Sequence, residues 1–257
     1  MMADMSDDVR TWVKVERVDA IAHVVLDRPD AANALSFELL ASLVEVIGQQ
    51  VVDGVRGMVL SGAGGRFSAG ADFDDLRGDP DDIAFDDAVA AVGRALAETP
   101  FPVVAAIEKH AFGAAVDVAW SCDAVVVARN ARLAVPATKL GLLYNPEALV
   151  ALHARIGDRA WRRLVLLGDE LDGETAFSLG MGESLVAPGQ AVPEALRLAS
   201  AAAIGDEAAV AATKAFGRAI SVGTAGDAEW QTLRQELLAA DARLATVRAR
   251  QQNRRGG

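Results

Sequence analysis

The sequence predicts an α/β protein, and three features carry that prediction. Short runs rich in Val, Ile and Ala recur without polar alternation, as strands buried on both faces do. Glycine-rich turns follow two of these runs and lead towards helix-patterned segments, the strand–loop–helix–strand order of a parallel sheet. Past residue 190 the glycines thin out, and alanine, leucine and charged residues dominate. That shift places a soft boundary between an α/β body over 1–190 and a helical region over 191–257.

Taken in chain order, residues 11–17 (TWVKVER) and 20–26 (AIAHVVL) are short and β-branched, and Val18 and Asp19 between them predict a hairpin. In DRPDAANALS, Pro29 and Asn33 keep the chain from entering a helix early. Ser36 is placed to cap a helix to about residue 50, with Phe37, Leu40, Leu43, Val44 and Ile47 at helical spacing. A strand at 55–61 (VRGMVLS) precedes the glycine-rich SGAGGRFSAGAD. Residues 103–107 (VVAAI) and 124–128 (AVVVA) read as buried strands. Between them, HAFGAAVDVAWSCD passes through a glycine turn into a helix. A loop with Gly141 and Pro146 leads into helical segments over 147–167, and helices are expected near 193–204, 206–221 and 227–251. The acidic run 72–87 (DFDDLRGDPDDIAFDD) reads as a solvated, mobile stretch over a pocket.

Composition narrows the function. The 257 residues carry 25 Lys+Arg against 36 Asp+Glu, a net charge of −11, which disfavours a nucleic-acid partner. Apolar residues make up 52% and charged ones 24%, the balance of a globular chain. The one cysteine, Cys122, allows no internal disulfide framework and reads as a small buried hydrophobe. His23, His110 and His153 are too scattered to set a zinc-ligand spacing, so no metal is expected. The first ten residues (MMADMSDDVR) lack the apolar stretch of a secretory signal, and no apolar run reaches eighteen residues, so a cytoplasmic protein without a membrane partner is expected.

Chemistry concentrates at two glycine loops, FSAGADF at 67–73 and HAFGAAVD at 110–117. A strand-to-helix turn through small residues leaves backbone N–H groups unpaired and lets a ligand approach the main chain. Two such groups converging from separate loops would stabilise an oxyanion. If the chain is helical from 114, Asp117 lies one turn beyond Ala114 on the same face, a carboxylate beside the carbonyl those N–H groups would hold. Turns of this kind also occur throughout α/β proteins, so the pattern alone leaves an ordinary structural role open.

Four segments in order make the reading specific: DRPDAANALS, VRGMVLSGAGGRFSAGADFDDL, PVVAAIEKHAFGAAVDVAWSCDAVVVARNARLAVPATKLGL and LLGDELDGETAFSLGMGESLV. Over nearly the whole chain they resemble the enoyl-CoA hydratase/isomerase (crotonase) superfamily. The resemblance implies a crotonase-like spiral of ββα units, an acyl-CoA thioester as substrate, and a C-terminal helical trimerisation region forming homotrimers or hexamers. It implies coenzyme A as part of the substrate and no separate cofactor. It places the oxyanion donors at Ala71 and Ala114 and the acyl-CoA contacts along Ala69, Gly70, Ala71, Asp72, Phe73 and Asp74, with Gly113, Ala114 and Ala137 opposite.

The first acid–base glutamate of the family's hydratases matches Asp117, in the Val-Asp-Leu-like Val116-Asp117-Val118 that is similar to dienoyl-CoA isomerases. The second falls on Ala137, which exchanges no proton. A further acidic position falls on Asn145, which can orient water, and Glu147 lies in the same loop as a possible substitute or a first-turn helix residue. His110 and Asp123 read as structural. The C-terminal arginines (Arg243, Arg248, Arg250, Arg254, Arg255) read either as phosphate contacts or as a solvated end. One carboxylate suffices for a proton shift, so double-bond isomerisation through Asp117 is expected over hydration. The alternatives are a catalytically impaired acyl-CoA-binding protein, or a thioester hydrolase or decarboxylase on the same site.

Overall fold

The computed structural model describes residues 12–226 and 228–255; the segment MMADMSDDVR and Thr11 of the first expected strand lie outside them. The chain opens with β1 (Val13–Val18) and β2 (Ile21–Leu26), an antiparallel hairpin in which Val18 pairs with Ile21. The turn residues are therefore Asp19 and Ala20 rather than Val18 and Asp19. Asp19 takes the left-handed conformation (φ 54°) that a two-residue hairpin turn favours, which β-branched Val18 adopts poorly.

Helix α1 (Phe37–Val52) starts where the sequence places it: Ser36 Oγ accepts a hydrogen bond from the Leu39 N–H, and Leu39, Leu40, Leu43 and Ile47 are buried. Next come β3 (Gly57–Gly62), α2 (Ile83–Glu98), β4 (Val103–Ile107), β5 (His110–Phe112), α3 (Ala114–Trp120), β6 (Ala124–Ala128) and β7 (Arg132–Ala134). The end of the acidic run is thus not a solvated stretch. From Ile83 it is helix α2, whose Phe85, Val89, Val92 and Leu96 enter the core at helical spacing.

Helix α4 (Pro146–Trp161) is interrupted at Gly157 (φ 75°) and runs on into a wider-turned stretch over Arg162–Leu166. Strand β8 (Leu171–Asp172), α5 (Gly173–Ser178), β9 (Ser184–Val186) and the helices α6 (Ala191–Ala203), α7 (Glu207–Val222), α8 (Ala228–Ala239) and α9 (Asp241–Arg255) complete the chain. The helix expected over 227–251 is two, parted at Ala240.

Six strands form one sheet in the order β1-β2-β3-β4-β6-β9, parallel from β2 onward; β5, β7 and β8 form a second, three-stranded sheet. Strands β3, β4 and β6 read as nearly continuous apolar runs because both faces are covered, whereas the edge strand β1 is exposed beyond Val13. Leu60, Ala105, Ile107, Val125 and Val127 belong to the main core with α1, α2 and α3. Ile21, Val59, Val104, Ala106 and Val126 face the other way, against Ala191, Ala195 and Ala199 of α6. Those alanines recur every four residues and form a smooth stripe. A Cβ on Gly57 would come 3.6 Å from the Ala199 Cβ, so the helix lies directly on the sheet.

Helix α7 is tied to the body by Lys214, whose Nζ donates to Leu96 O (2.9 Å), Thr99 Oγ1 (2.7 Å) and Phe101 O (3.0 Å) and pairs with Asp123 Oδ2 (2.7 Å). Asp123 in turn accepts the Val103 N–H, which confirms its structural role. Replacing Lys214 by Met leaves these acceptors without their donor. Lys214→Met is expected to lower the unfolding free energy by about 3 kcal/mol, at the lower end for breaking a buried pair. Urea unfolding with an unchanged m-value checks this, and a loss under ~0.5 kcal/mol would show the contact to be incidental.

Candidate active site

The site forms where the two glycine loops cross. Asn33 is fully buried and left-handed (φ 56°), a conformation that asparagine tolerates better than most residues. Its Nδ2 donates to Ala63 O (3.0 Å), Arg66 O (3.0 Å) and Phe67 O (3.2 Å), and its Oδ1 accepts the Arg28 N–H (3.0 Å). Ser68 carries the clamp onward. Its Oγ donates to Asn33 O (2.6 Å) and accepts the Gly70 N–H, while its main chain bonds to His110 O and the Phe112 N–H. Leu35 adds two main-chain bonds, to Gly70 O and the Asp72 N–H.

Each loop needs its glycine at this crossing. Gly70 has φ 92°, and a Cβ there would lie 2.4 Å from Phe112 O and 3.7 Å from Ala114 N. Gly113 has φ 54° and ψ −124°, outside the range of a side-chain-bearing residue, and turns β5 into α3. The next residues, Ala71 and Ala114, are therefore brought close together. Neither amide donates a hydrogen bond to any described residue, although both are largely shielded: Ala114 is buried and Ala71 half-buried. Shielded N–H groups without partners are rare.

Asp117 lies one turn further along α3, with its carboxyl at a crevice lined by Gly113, Val135, Tyr144, Leu149 and Leu152. Burial in this lining, and secondarily the charge of Asp86, push its pKa up to about 6. Tyr144, which sequence reasoning missed, sits at the same place. A Cβ on Gly113 would come 2.8 Å from its hydroxyl, and burial pushes its ionisation well above the usual tyrosine range, with Asp117 contributing. The signal available was that it is the chain's one tyrosine, in a glycine- and proline-bounded loop.

Other expected residues divide. Ala137 is buried beside this crevice's wall residue Val135 in the main core, and offers only a methyl. Asn145 is engaged in capping α4, its Oδ1 accepting from the Glu147 N–H (2.9 Å) and the Ala148 N–H (3.4 Å). Glu147 stands exposed in the first turn of α4. Asn145 thus caps the helix that Pro146 starts, and Glu147 takes the first-turn place that was one of its two readings. Asp72 faces Arg28 (2.7 Å) and accepts the Asp74 N–H; Ala69, Phe73 and Asp74 are exposed at the rim. Phe73, 68% exposed, is free to touch a ligand.

His23 bonds to Ser61, His110 stacks on Phe112 in β5, and His153 lies against Trp161. The three histidines are thus apart, and no cluster of three metal ligands occurs among the described residues. No helix among the described residues is long and apolar enough to cross a membrane. Arg243 donates to Leu238 O, Arg248 and Arg250 are exposed, and the side chains of Arg254 and Arg255 lie outside the description.

Two crossing glycine loops thus leave the Ala71 and Ala114 amides unpartnered one turn from the half-buried Asp117 carboxyl, on an α/β body of mixed sheet and helices. The family model for enoyl-CoA hydratase/isomerase matches residues 16–244, and the chain belongs to that family. It is 32% identical over 173 residues to a Mycobacterium bovis relative named "Probable enoyl-CoA hydratase echA6", covering 67% of this chain and 70% of the relative. It is 33% identical over 165 residues to the 1,2-epoxyphenylacetyl-CoA isomerase of Escherichia coli, covering 62% and 63%. A Hyphomonas neptunium structure of the enoyl-CoA hydratase/isomerase family superposes with a TM-score of 0.89 at 28% identity, covering 94% of this chain and 95% of that one. The protein is an enzyme of this family.

A raised carboxyl pKa has a cost in the folded state. Below the unfolded value near 3.8 Asp117 is protonated in both states. Between about 3.8 and 6 the unfolded chain gives up this proton while the folded protein keeps it, so stability is lost progressively over that interval and stays at its reduced level above it. Asp117→Asn is therefore expected to stabilise the protein at pH 8 by on the order of 2–3 kcal/mol, and to give no such gain at pH 3.5. Thermal unfolding at the two pH values checks this; equal effects at both would contradict the burial argument.

Proposed function

We propose that the protein shifts a double bond in an enoyl-CoA thioester by moving one proton, with isomerisation favoured over hydration. The thioester oxygen accepts hydrogen bonds from the Ala71 and Ala114 amides. Asp117 takes a proton from an acyl carbon, and the electron pair spreads onto that oxygen as an enolate. The same proton, returned to a different carbon, completes a redox-neutral isomerisation. The observation that carries this reading is the pair of unpartnered amides one turn from the half-buried Asp117 carboxyl. Ala137 and the capping Asn145 support isomerisation, because neither supplies the second carboxylate that would hold and split a water. Coenzyme A enters as part of the substrate, with no separate cofactor, and the setting is cytoplasmic.

A homotrimer, or a pair of trimers, belongs to the same reading. Ile204 is 86% exposed and Ile220 62% exposed, and an apolar groove between α7, α8 and α9 is lined by Phe216, Trp230, Leu237 and Val247. Surface of this kind in a single chain supports covering by further copies through the C-terminal helices. Sedimentation equilibrium is expected to give a trimer or hexamer mass, and a monomer would remove this part of the proposal.

Activity is tested with a panel of trans-2-, cis-3- and dienoyl-CoA esters. Turnover of at least one by double-bond migration is expected. Asp117→Asn should lower kcat by ~10² or more, the usual share of general acid–base catalysis, with ester binding retained. The base must be ionised, so kcat/KM should fall as pH drops through about 6. Binding without turnover across the panel would favour a binding protein, and release of free coenzyme A a hydrolase. Gly70→Ala, which drives a methyl into Phe112 O, should abolish turnover by parting the two amides.

A further inference from the structure

The two main-chain amides are not the only donors at the loop crossing. At Gly113 ψ is −124°, so a Cβ on that residue would nearly eclipse the bond from its carbonyl carbon to the Ala114 nitrogen. The Ala114 N–H is then directed to the side where that Cβ would stand, a crowding that reserves the conformation for glycine. Apart from residues 112–114, one described atom lies within 4 Å of that place: the Tyr144 hydroxyl, at 2.8 Å. The place is otherwise open. On another flank of the same amide, a Cβ on Gly70 would come 3.7 Å from the Ala114 nitrogen, so the first loop closes that side.

The fold holds Tyr144 at this opening. Its ring packs against the main core, as does Leu149 on the helix that follows. The next residue, Asn145, caps α4 through its Oδ1, which accepts the Glu147 and Ala148 amides and fixes the chain just beyond the ring. Among the described residues the hydroxyl has no hydrogen-bond partner, and Tyr144 borders the crevice shared by Gly113 and Asp117. Burial, with the Asp117 charge second, pushes its ionisation above the usual tyrosine range. It therefore stays a neutral O–H donor near neutral pH.

Resting on the proposed proton transfer, we propose that Tyr144 is a catalytic residue of the same site, whose hydroxyl donates a third hydrogen bond to the thioester oxygen. An oxygen accepting from the Ala114 N–H lies beside the open place at Gly113, and the hydroxyl stands across that place. The bond strengthens as the oxygen gains charge, so it favours the enolate over the bound ester. No proton leaves the hydroxyl: the one that Asp117 takes from the acyl chain is the one Asp117 returns. Gly113 is thus required for space as well as for its backbone angles, because a methyl there would meet the hydroxyl.

Tyr144→Phe keeps the ring and removes only the donor. The test reads the carbonyl stretch of a saturated acyl-CoA, labelled with carbon-13 at the thioester carbon, bound to the full-length protein. In Tyr144→Phe the stretch is expected to move to higher wavenumber. In turnover of an enoyl-CoA, kcat should fall ~10-fold or more, the size of one lost oxyanion donor, with KM held within about threefold. The acidic limb of kcat/KM should stay at about 6, since the hydroxyl serves the oxygen and not the carboxyl. An unmoved stretch in a folded Tyr144→Phe protein overturns the proposal, as does a moved stretch with kcat unchanged. A displaced limb with the stretch in place assigns the hydroxyl to Asp117 and overturns it too. If Tyr144→Phe does not fold, biosynthetic 3-fluorotyrosine decides, because Tyr144 is the chain's one tyrosine. The more acidic fluorophenol is a stronger donor and should move the stretch to lower wavenumber; an unmoved stretch overturns the proposal. The stretch needs no turnover. A shift in a protein that converts no enoyl-CoA keeps the third donor and dismisses the proposed reaction, whereas failure of the unaltered protein to bind the ester dismisses both.

Discussion

The arrangement hangs on one buried asparagine. Asn33 turns the chain through a left-handed step and gives all its amide donors to the carbonyls of the 63–67 segment. It thereby fixes the height at which the first glycine loop meets the second. Ser68 then joins that loop to β5 by side chain and main chain together. The bonds to Phe67 O and from Ser68 Oγ are buried, where a missing partner costs more than a present one contributes. The clamp makes no contact with Asp117. It determines where Gly70 and Gly113 lie, and those positions determine where two amides point.

The carboxyl at the centre shows the opposite balance. The surroundings of Asp117 disfavour its charge: Val135, Leu149 and Leu152 desolvate it, and Asp86 repels it. A residue chosen for stability alone would be apolar here. The ties elsewhere, such as Lys214 with its three oxygen acceptors and Asp123, hold the body together while this crevice retains an unfavourable group.

Much of this was legible in the sequence, for physical reasons that differ by element. Strands β4 and β6 were found to the residue because a sheet covered on both faces leaves an uninterrupted apolar run. The α1 start was legible because Ser36 bonds locally. Strands β5, β7, β8 and β9 span two or three residues each, too few for any period to show. Helix α2 was hidden because aspartates crowd its first turns, so composition spoke for solvent while Phe85, Val89, Val92 and Leu96 spoke for the core. Asn145 was read through its polarity when its position before Pro146 already marked it as a cap. Tyr144 could not be placed, because only the fold brings its hydroxyl over Gly113.

The reaction class follows from desolvation twice over in the proposed reading. The lining that raises Asp117 is also a poor place for water, since Val135, Leu149 and Leu152 make most of it apolar. Addition of water to a double bond needs that molecule held and split between two groups. Migration of the bond needs water kept away, because an enolate with its proton parked on a nearby carboxyl is quenched or exchanged when solvent enters. An alanine at 137 and an asparagine engaged as a cap therefore do not read as a hydratase site with parts removed. In the proposed reading they are what a site for moving a single proton would select.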